Sequence, residues 1–322
     1  MKLLGTDLRL KQALQEWAQI APTLGLDPSA FKAKLIWQKD ERTRSHIVVR
    51  LKGPRKLILK RIFVAPDDDN LTDGVAAQRR AFARLERHDQ AHAPDVFFAA
   101  PDGRTVVMVE ASGKTLNDHL RAGRPHDQML RRAGAWLDAF HRSGGTEART
   151  YQPRFMVNHV GRMRKATLNE AMRVTLPELF VACCAHIPTV AQACEGQPTI
   201  SATKHGDLNL RNLMLGPDGE TGLDFKPVSS APVGFDIARL LMDYAELFQP
   251  DSNSLVSNET LDAFFDGYRL VDRNDPSVRF VPYVQLLNDW RLIPPNPAKR
   301  SWRQTARMER IEALARSAFD LK

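Results

Sequence analysis

The sequence predicts an α+β fold in which a small antiparallel sheet precedes a mainly helical region. Two observations support this fold class. Strand-like runs bounded by turn residues fill the first third of the chain, and apolar residues at helical spacing recur through the rest. The length of 322 residues suits two packed lobes or one large domain. We place the boundary so that residues 1–110 form the first region and residues 111–322 the second.

The first region combines short strands with two helical stretches. Turn signals such as Gly53-Pro54 and Pro101-Asp102-Gly103 separate its strand-like runs. The predicted elements are a helical stretch at 7–22, strands at 33–38, 46–53 and 56–63, a helix at 75–88, and two strands within 96–110. We expect these strands to form one antiparallel sheet.

The second region is mainly helical, with one short hairpin inserted. Helical patterns lie at 129–143, 157–173, 176–186, 235–248, 260–271 and 301–319. Two short apolar runs at 212–215 and 221–225 are joined by the turn residues 216–219, which predicts a hairpin. His141 ends an apolar helix face, and we interpret it as a packed histidine.

Composition indicates an ordinary globular chain. The sequence is 43% apolar and 26% charged, and no apolar run approaches the roughly 20 residues needed to span a bilayer. The three cysteines are an odd number without metal-ligand spacing, which favours reduced thiols in the cytoplasm. We therefore expect a cytoplasmic protein with no membrane span.

The net charge of +8 is unevenly distributed. Eleven lysines and arginines lie between Lys32 and Arg61, against only two acidic residues. Such a patch can attract the phosphates of a nucleotide, a nucleic acid or an anionic membrane surface. A solvated strand face is the simpler interpretation, and no nucleic-acid-binding module accompanies the patch.

The stretch K-H-G-D-L-N-L-R-N-L-M-L, residues 204–215, places polar groups inside an apolar run. A buried carboxylate or amide must be satisfied, so these side chains need a function. Asp207 and Asn212 lie on a loop that leads into the predicted hairpin, and Asp224 lies on its second strand. Amide and carboxylate oxygens suit Mg²⁺, and a further carboxylate can accept a proton from an attacking hydroxyl.

The spacing H-G-D-x-x-x-x-N, followed by L-D-F and then by G-F-D-I at 234–237, resembles the protein-kinase-like phosphotransferases. The closer resemblance is to the aminoglycoside phosphotransferase and choline kinase branch. It implies a two-lobed kinase-like fold. Residues 1–110 would form the N-terminal nucleotide-binding lobe, and residues 111–322 would form a helical C-lobe with the catalytic loop and the acceptor pocket.

The resemblance also implies roles for the motif residues, with ATP and Mg²⁺ as cofactors. Asp207 would be the catalytic base, and Asn212 and Asp224 would hold Mg²⁺. Asp236 would support the catalytic loop, whose shape His205 would help to fix.

In the first region the resemblance assigns nucleotide contacts. Lys60 would pair with the α- and β-phosphates. Backbone groups near Glu110 and Ala111 would bind adenine. Gln78 stands where the family has a glutamate partner for the lysine, and Glu86 is the alternative further along the same helix.

The phosphate-covering loop also departs from the family pattern. The equivalent loop, residues 39–46, contains no glycine. We expect Ser45 and backbone N–H groups to bind phosphate there, helped by Arg42 or Arg44.

These observations favour an ATP-dependent phosphotransferase that acts on a hydroxyl group of a small molecule, such as a sugar, an amino alcohol or a related metabolite. The alternative is a nucleotide-binding pseudokinase or scaffold without phosphotransfer, which Gln78 and the glycine-free loop motivate. Nucleic-acid binding through residues 32–61 is a third and less favoured hypothesis.

Overall fold

The computed structural model describes residues 6–66, 70–227, 229–250 and 253–321. The chain divides into two compact units. The described residues of Met1–Gly113 and Gly216–Val228 form the first unit, and those of Lys114–Leu215 and Ser229–Lys322 form the second. The first break lies close to the boundary predicted at residue 110. However, the segment Gly216–Val228, which we expected in the second region, belongs to the first unit.

The first unit is built on a five-stranded antiparallel sheet with the strand order β1-β2-β3-β6-β5. Its elements are α1 (Thr6–Thr23), β1 (Lys32–Asp40), β2 (Ser45–Lys52), β3 (Lys56–Val64), α2 (Leu71–Leu85), β4 (Ala91–His92), β5 (Val96–Ala99), β6 (Thr105–Val109) and, later in the chain, β11 (Gly219–Gly222). This arrangement confirms the antiparallel sheet predicted from residues 33–63 and 96–110.

The two faces of this sheet differ in polarity. Buried apolar side chains on one face pack with α1 to form a core that comprises Ala13, Trp17, Ala21, Ile47, Val49, Leu51, Leu57, Leu59 and Val107. Each large side chain in such a core stabilises the fold by roughly 1.5–3 kcal/mol. Because successive side chains of a strand alternate between faces, the opposite face carries His46 and Val48 of β2. Lys60 of β3 is paired with Val48 and lies on the same face.

The strand β11 completes the first unit from a distant part of the chain. It runs parallel to β4, with Glu220 opposite Ala91. Gly219 begins this strand with a φ of +123°, and a Cβ atom there would lie 2.5 Å from the carbonyl oxygen of Gln90. Only glycine satisfies both the conformation and the close approach.

The second unit is mainly helical. Its elements are β7 (Lys114–Thr115), α3 (Leu116–Arg121), α4 (His126–Ser143), β8 (Thr146–Thr150), α5 (Arg154–Leu168), α6 (Pro177–Gln192), β9 (Pro198–Thr203), β10 (Leu213–Gly216), β12 (Ser230–Pro232), α7 (Gly234–Ala245), α8 (Asn258–Phe265), α9 (Pro276–Arg291) and α10 (Trp302–Ala318). Strands β8 and β12 flank β9 in a three-stranded antiparallel sheet. Strand β10 pairs with β7.

Helices α7 and α9 form the centre of the second unit, where they pack against each other. Most side chains of α7 are buried, and α9 is buried on nearly all its faces even though it contains Pro282. Sequence periodicity predicts α7 but not α9. Among the helices of the described segments, none combines the length and the apolar character needed to cross a membrane.

Candidate active site

The loop between β9 and β10 carries the motif residues of the second unit. Its leucines Leu208 and Leu210 are fully buried, so they anchor the loop in the second unit. Asn209 shapes the turn: its side-chain oxygen accepts the N–H of Arg211 at 3.0 Å, and its amide nitrogen donates to the carbonyl of Asp207 at 3.1 Å. The polar residues among the leucines therefore hold the loop in one conformation.

The carboxylate of Asp207 projects from this loop and remains 34% exposed. Three donors approach its Oδ1 atom. Nε and Nη2 of Arg239 each lie 3.4 Å away, and Nδ2 of Asn209 also lies 3.4 Å away. The Oδ2 atom has a longer contact of 3.5 Å with Nδ2 of Asn212. The carboxylate is thus both oriented and accessible.

The start of the loop between β9 and β10 is held by Asp236, in the first turn of α7. Its carboxylate accepts the backbone N–H of His205 at 2.6 Å and that of Gly206 at 2.9 Å. Burial alone would raise the pKa of Asp236, but the hydrogen bond and charge of His141 and the Gly206 N–H outweigh it, so the pKa is lowered. An ionised carboxylate is the better acceptor for these donors.

Two histidines complete this support. His205 is fully buried, and its Nδ1 accepts the N–H of Asp207 at 3.3 Å. His141 on α4 lies with Nε2 3.2 Å from Asp236 and Nδ1 2.9 Å from the hydroxyl of Tyr268. His141 is therefore packed, as the sequence predicts, but it also contacts the carboxylate that supports the loop.

Asn212 lies in the same loop, five residues after Asp207. Its Nδ2 atom donates to the carbonyl of Asp207 at 2.9 Å. This hydrogen bond fixes the amide so that Oδ1 points elsewhere, and no donor from the described residues occupies that oxygen. An available amide oxygen is the donor atom that a Mg²⁺ ligand requires.

In the first unit, Lys60 and Asp224 form an ion pair. Nζ lies 2.6 Å from Oδ1, and the Asp224 side chain is half exposed. Asp224 has a φ of +60°, a conformation that is uncommon for a residue other than glycine. Such outliers cluster at functional sites, and the exposed carboxylate has the hard oxygen atoms that suit Mg²⁺.

The structure corrects the expectation for Gln78. Its amide nitrogen donates to the carbonyl of Pro94 at 2.9 Å, and the side chain is buried. Gln78 therefore ties α2 to the chain before β5 and does not bind Lys60, whose partner in the described structure is Asp224. The helix that carries Gln78 is present as predicted, but its side chain has a different partner.

Ser45 also has a partner that the sequence did not indicate. Its side chain is fully buried, and the hydroxyl accepts a hydrogen bond from Arg9 of α1 at 2.5 Å. Arg9 also donates to both carboxylate oxygens of Asp40. Through this buried hydroxyl, Ser45 helps to fasten α1 to the sheet. Reciprocal backbone hydrogen bonds between Glu41 and Arg44 close the turn that precedes Ser45.

Glu110 and Ala111 follow β6 in an irregular segment of the first unit. The N–H of Glu110 donates to the carbonyl of Lys56 at 2.9 Å, and its carboxylate pairs with Nε of Arg50 at 2.5 Å. The N–H of Glu110 is thus already used. A nucleobase at this segment would have to use other backbone groups of Glu110 and Ala111.

Sequence reasoning missed two residues, one that contacts Asp207 directly and one that contacts it only through the first. Arg239 on α7 contacts Asp207, and its Nη1 lies 3.3 Å from Oδ1 of Asp289 on α9. Burial disfavours the charge on Arg239, but Asp289, Asp207 and Asp243 together raise its pKa. Arg239 lies three residues after Asp236 on a predicted helix, so the sequence alone indicates that the two side chains share a helix face. Asp289 had no such signal, because α9 itself was not predicted.

A family model described as the phosphotransferase enzyme family matches residues 39–281. A search of curated proteins found no match. A choline/ethanolamine kinase family protein from Mesorhizobium loti has a similar structure, with a TM-score of 0.62 and 17% identity over 95% of this chain and 94% of that one.

Two further solved structures are similar. Choline kinase from Cryptosporidium parvum Iowa II has a TM-score of 0.62 and 10% identity over 96% of this chain and 95% of its own. Amicoumacin kinase hAmiN, solved with AMP-PNP, Ca²⁺ and Ami, has a TM-score of 0.57 and 14% identity over 96% of each chain. At these identities the likeness shows the fold, and it confirms the predicted kinase-like architecture. Because the family model covers most of the chain and includes the H-G-D-x-x-x-x-N motif, the chain belongs to the phosphotransferase enzyme family.

Proposed function

We propose that this protein transfers the γ-phosphoryl group of ATP to a hydroxyl group of a small molecule. The proposal is based mainly on the exposure and the hydrogen bonds of the Asp207 carboxylate. Its carboxylate is accessible, held by N–H donors, and mounted on a loop that buried leucines and Asp236 keep in place. A positioned carboxylate of this kind can orient an attacking hydroxyl and accept its proton.

The proposed reaction is an in-line displacement. The acceptor oxygen forms a bond to the γ-phosphorus of ATP as the bond from that phosphorus to the β,γ-bridging oxygen breaks. The hydroxyl proton passes to Asp207, and ADP leaves with the bonding electrons on its terminal oxygen. The protein forms no covalent bond to the substrates in this reaction. It would therefore accelerate the transfer mainly by positioning the reactants and by stabilising charge.

Three of the proposed nucleotide contacts, Lys60, Glu110 and Ala111, belong to the first unit. Lys60 would contact the α- and β-phosphates, and backbone groups at Glu110 and Ala111 would receive adenine. Asn212 and Asp224 would be the Mg²⁺ ligands, and Mg²⁺ when bound neutralises charge on the phosphates. The available Oδ1 of Asn212 and the exposed carboxylate of Asp224 fit this ion. Amicoumacin kinase, with the same fold, was solved with an ATP analogue and a divalent cation.

The acceptor belongs to a broad class that includes sugars, amino alcohols and related metabolites. Choline kinases and an amicoumacin kinase share the fold, so acceptors of several kinds are compatible with it. We expect the protein to work in the cytoplasm, because its three cysteines are buried free thiols.

The test measures ADP release from MgATP with a panel of amino alcohols, sugars and aminoglycosides, together with MgATP affinity by calorimetry. We expect Asp207→Asn to retain nucleotide binding while turnover falls by roughly 10²–10⁴-fold, the usual effect of a positioned general base. Asp224→Asn should weaken MgATP binding itself, because a metal ligand loses its charge.

Equal loss of nucleotide binding in both variants would contradict the separate roles. Full activity of Asp207→Asn would reject the mechanism. Nucleotide binding by the wild type without turnover of any acceptor would favour the pseudokinase, in which Lys60 pairs with Asp224 and not with a helix glutamate.

A further inference from the structure

Helix α7 supports the catalytic loop along its length, not only at its start. Asp236, Arg239 and Asp243 are spaced by three and four residues, so they lie on one face of the helix. Asp236 holds the beginning of the loop. Arg239 contacts Asp207, and Asp243 accepts the N–H of Leu210 at 3.1 Å. Of these three side chains, only Arg239 touches the carboxylate that would contact the acceptor.

Arg239 is itself held from the opposite side. Its Nη1 atom lies 3.3 Å from Oδ1 of Asp289. Asp289 is only 5% exposed, and its Oδ2 atom accepts a hydrogen bond from Gln285 at 2.8 Å. A guanidinium group is planar, with its donors in a fixed fork. When Asp289 binds one edge of Arg239, the direction of the edge that faces Asp207 is therefore set.

The contacts around Asp207 are asymmetric. Oδ1 is approached by two N–H groups of Arg239 and by Nδ2 of Asn209, all at 3.4 Å. Oδ2 has the contact with Asn212, at 3.5 Å. Acceptor capacity therefore remains mainly on Oδ2.

We propose that Arg239, fixed by Asp289, is a positioning residue that occupies Oδ1 of Asp207 and leaves Oδ2 to receive the acceptor hydroxyl. The inference rests on the proposed function. Its physical basis is orientation: a reacting group misplaced by about 1 Å can lose about 10²-fold in rate. Without Arg239, the Asp207 carboxylate would rotate among several directions, while the nucleotide-binding residues of the first unit would be unchanged.

The test uses the full-length protein with MgATP, first with water as the acceptor and then with an acceptor identified by the panel. We expect Arg239→Gln to lower turnover by about 10²-fold and to leave MgATP affinity unchanged. Arg239→Lys should recover part of the loss, because an ammonium group keeps the charge but not the fork.

A double-mutant cycle separates positioning from a general structural effect. If Arg239 acts through the Asp207 carboxylate, then Arg239→Gln has no further effect in the Asp207→Asn background. Arg131→Gln is the matched control, since Arg131 is an exposed arginine of α4 that pairs with Asp266. Arg239→Gln combined with Asp289→Asn avoids a buried unpaired carboxylate, should Arg239→Gln alone fail to fold.

Turnover of Arg239→Gln equal to that of wild type would overturn the inference, provided that Asp207→Asn is impaired. Losses that multiply in the double variant would also overturn it. If the wild type transfers phosphate to no acceptor, including water, the proposed function fails and the inference fails with it.

Discussion

Lys60 and Asp224 are separated by 164 residues in the sequence, yet Nζ of one lies 2.6 Å from Oδ1 of the other. Both belong to the first unit. The pair holds a cation and a carboxylate in contact at the sheet face that Lys60 occupies. We propose that Lys60 meets phosphate and Asp224 meets Mg²⁺ when nucleotide binds.

We expect Lys60→Met to weaken MgATP binding by roughly ten- to a hundredfold, the effect of losing a hydrogen bond to a charged group. Stability should change little, since the Asp224 carboxylate is half exposed and water can solvate it. Calorimetric titration with MgATP and a thermal melt measure the two quantities. Lys56→Met, at an exposed position of the same strand, is the control and should bind as wild type does. Unchanged affinity in Lys60→Met would reject its role.

Asp236→Ala should destabilise the protein by roughly 3 kcal/mol, because it leaves the N–H groups of His205 and Gly206 and the buried His141 without their acceptor. Urea denaturation gives the free energy of unfolding. Asp262→Ala is the control, since Asp262 lies on α8 with an exposed carboxylate paired to Arg273. A loss for Asp236→Ala no larger than that of the control would show that the loop does not depend on this carboxylate.

His46 should make the protein less stable in acid. Burial, with help from the charge of Lys60, lowers its pKa from 6.5 to about 4, while Asp224 opposes this shift and Arg44 and Lys39 add to it. Between these pH values the unfolded chain binds a proton at His46 that the folded chain does not. The free energy of unfolding therefore falls as the pH falls.

We expect His46→Gln to lose less stability than wild type when urea denaturation is repeated at about pH 7 and about pH 5, within the window that the shift defines. His186→Gln, at an exposed position of α6, should follow the wild type. If His46→Gln and wild type respond identically to pH, the imidazole is not shielded in the folded state.

The three cysteines should be inert in the folded protein. Cys183, Cys184 and Cys194 are all nearly inaccessible, and burial raises the pKa of the first two thiols to about 12. The thiolate is the reactive form, so a thiol reagent at mildly alkaline pH should label none of them until denaturant is added. Thr23→Cys places a thiol at an exposed helix end and should react at once. Rapid labelling of native wild type would contradict the burial.

The sheet of the first unit could be predicted because alternate burial leaves a pattern in the sequence. In β2, Ile47, Val49 and Leu51 face the core while the residues between them do not, and this alternation is visible without a structure. The loop between β9 and β10 could be singled out for another reason. Its polar residues interrupt an apolar run, and the structure shows that they make hydrogen bonds that hold the loop.

Helix α9 could not be predicted because it lacks a polar face. Its buried residues surround the helix axis, so no amphipathic period distinguishes it from an irregular apolar segment. Pro282 within it also argues for a break. Because this helix was not predicted, neither Asp289 nor its contact with Arg239 could be predicted.

The partners of Gln78 and Ser45 could not be predicted for a different reason. The three-dimensional fold determines which atoms a polar side chain contacts. The local spacing of residues in the sequence does not reveal those partners. Ser45 pairs with Arg9, which is 36 residues away, and Gln78 finds a backbone carbonyl. Sequence reasoning placed both residues on the expected elements, but it could not identify which atoms would meet them.

The first unit is made of two separate segments of the chain, and this affects how it folds during synthesis on the ribosome. The strand β11 and the segment with Asp224 follow the first part of this unit by about a hundred residues. At a synthesis rate of about 5–20 residues per second, the first part of this unit emerges several seconds before β11, the strand that pairs with β4. During that interval β4 has no β11 beside it and Lys60 has no Asp224. Vectorial folding of this unit therefore cannot finish until much of the other unit has also emerged.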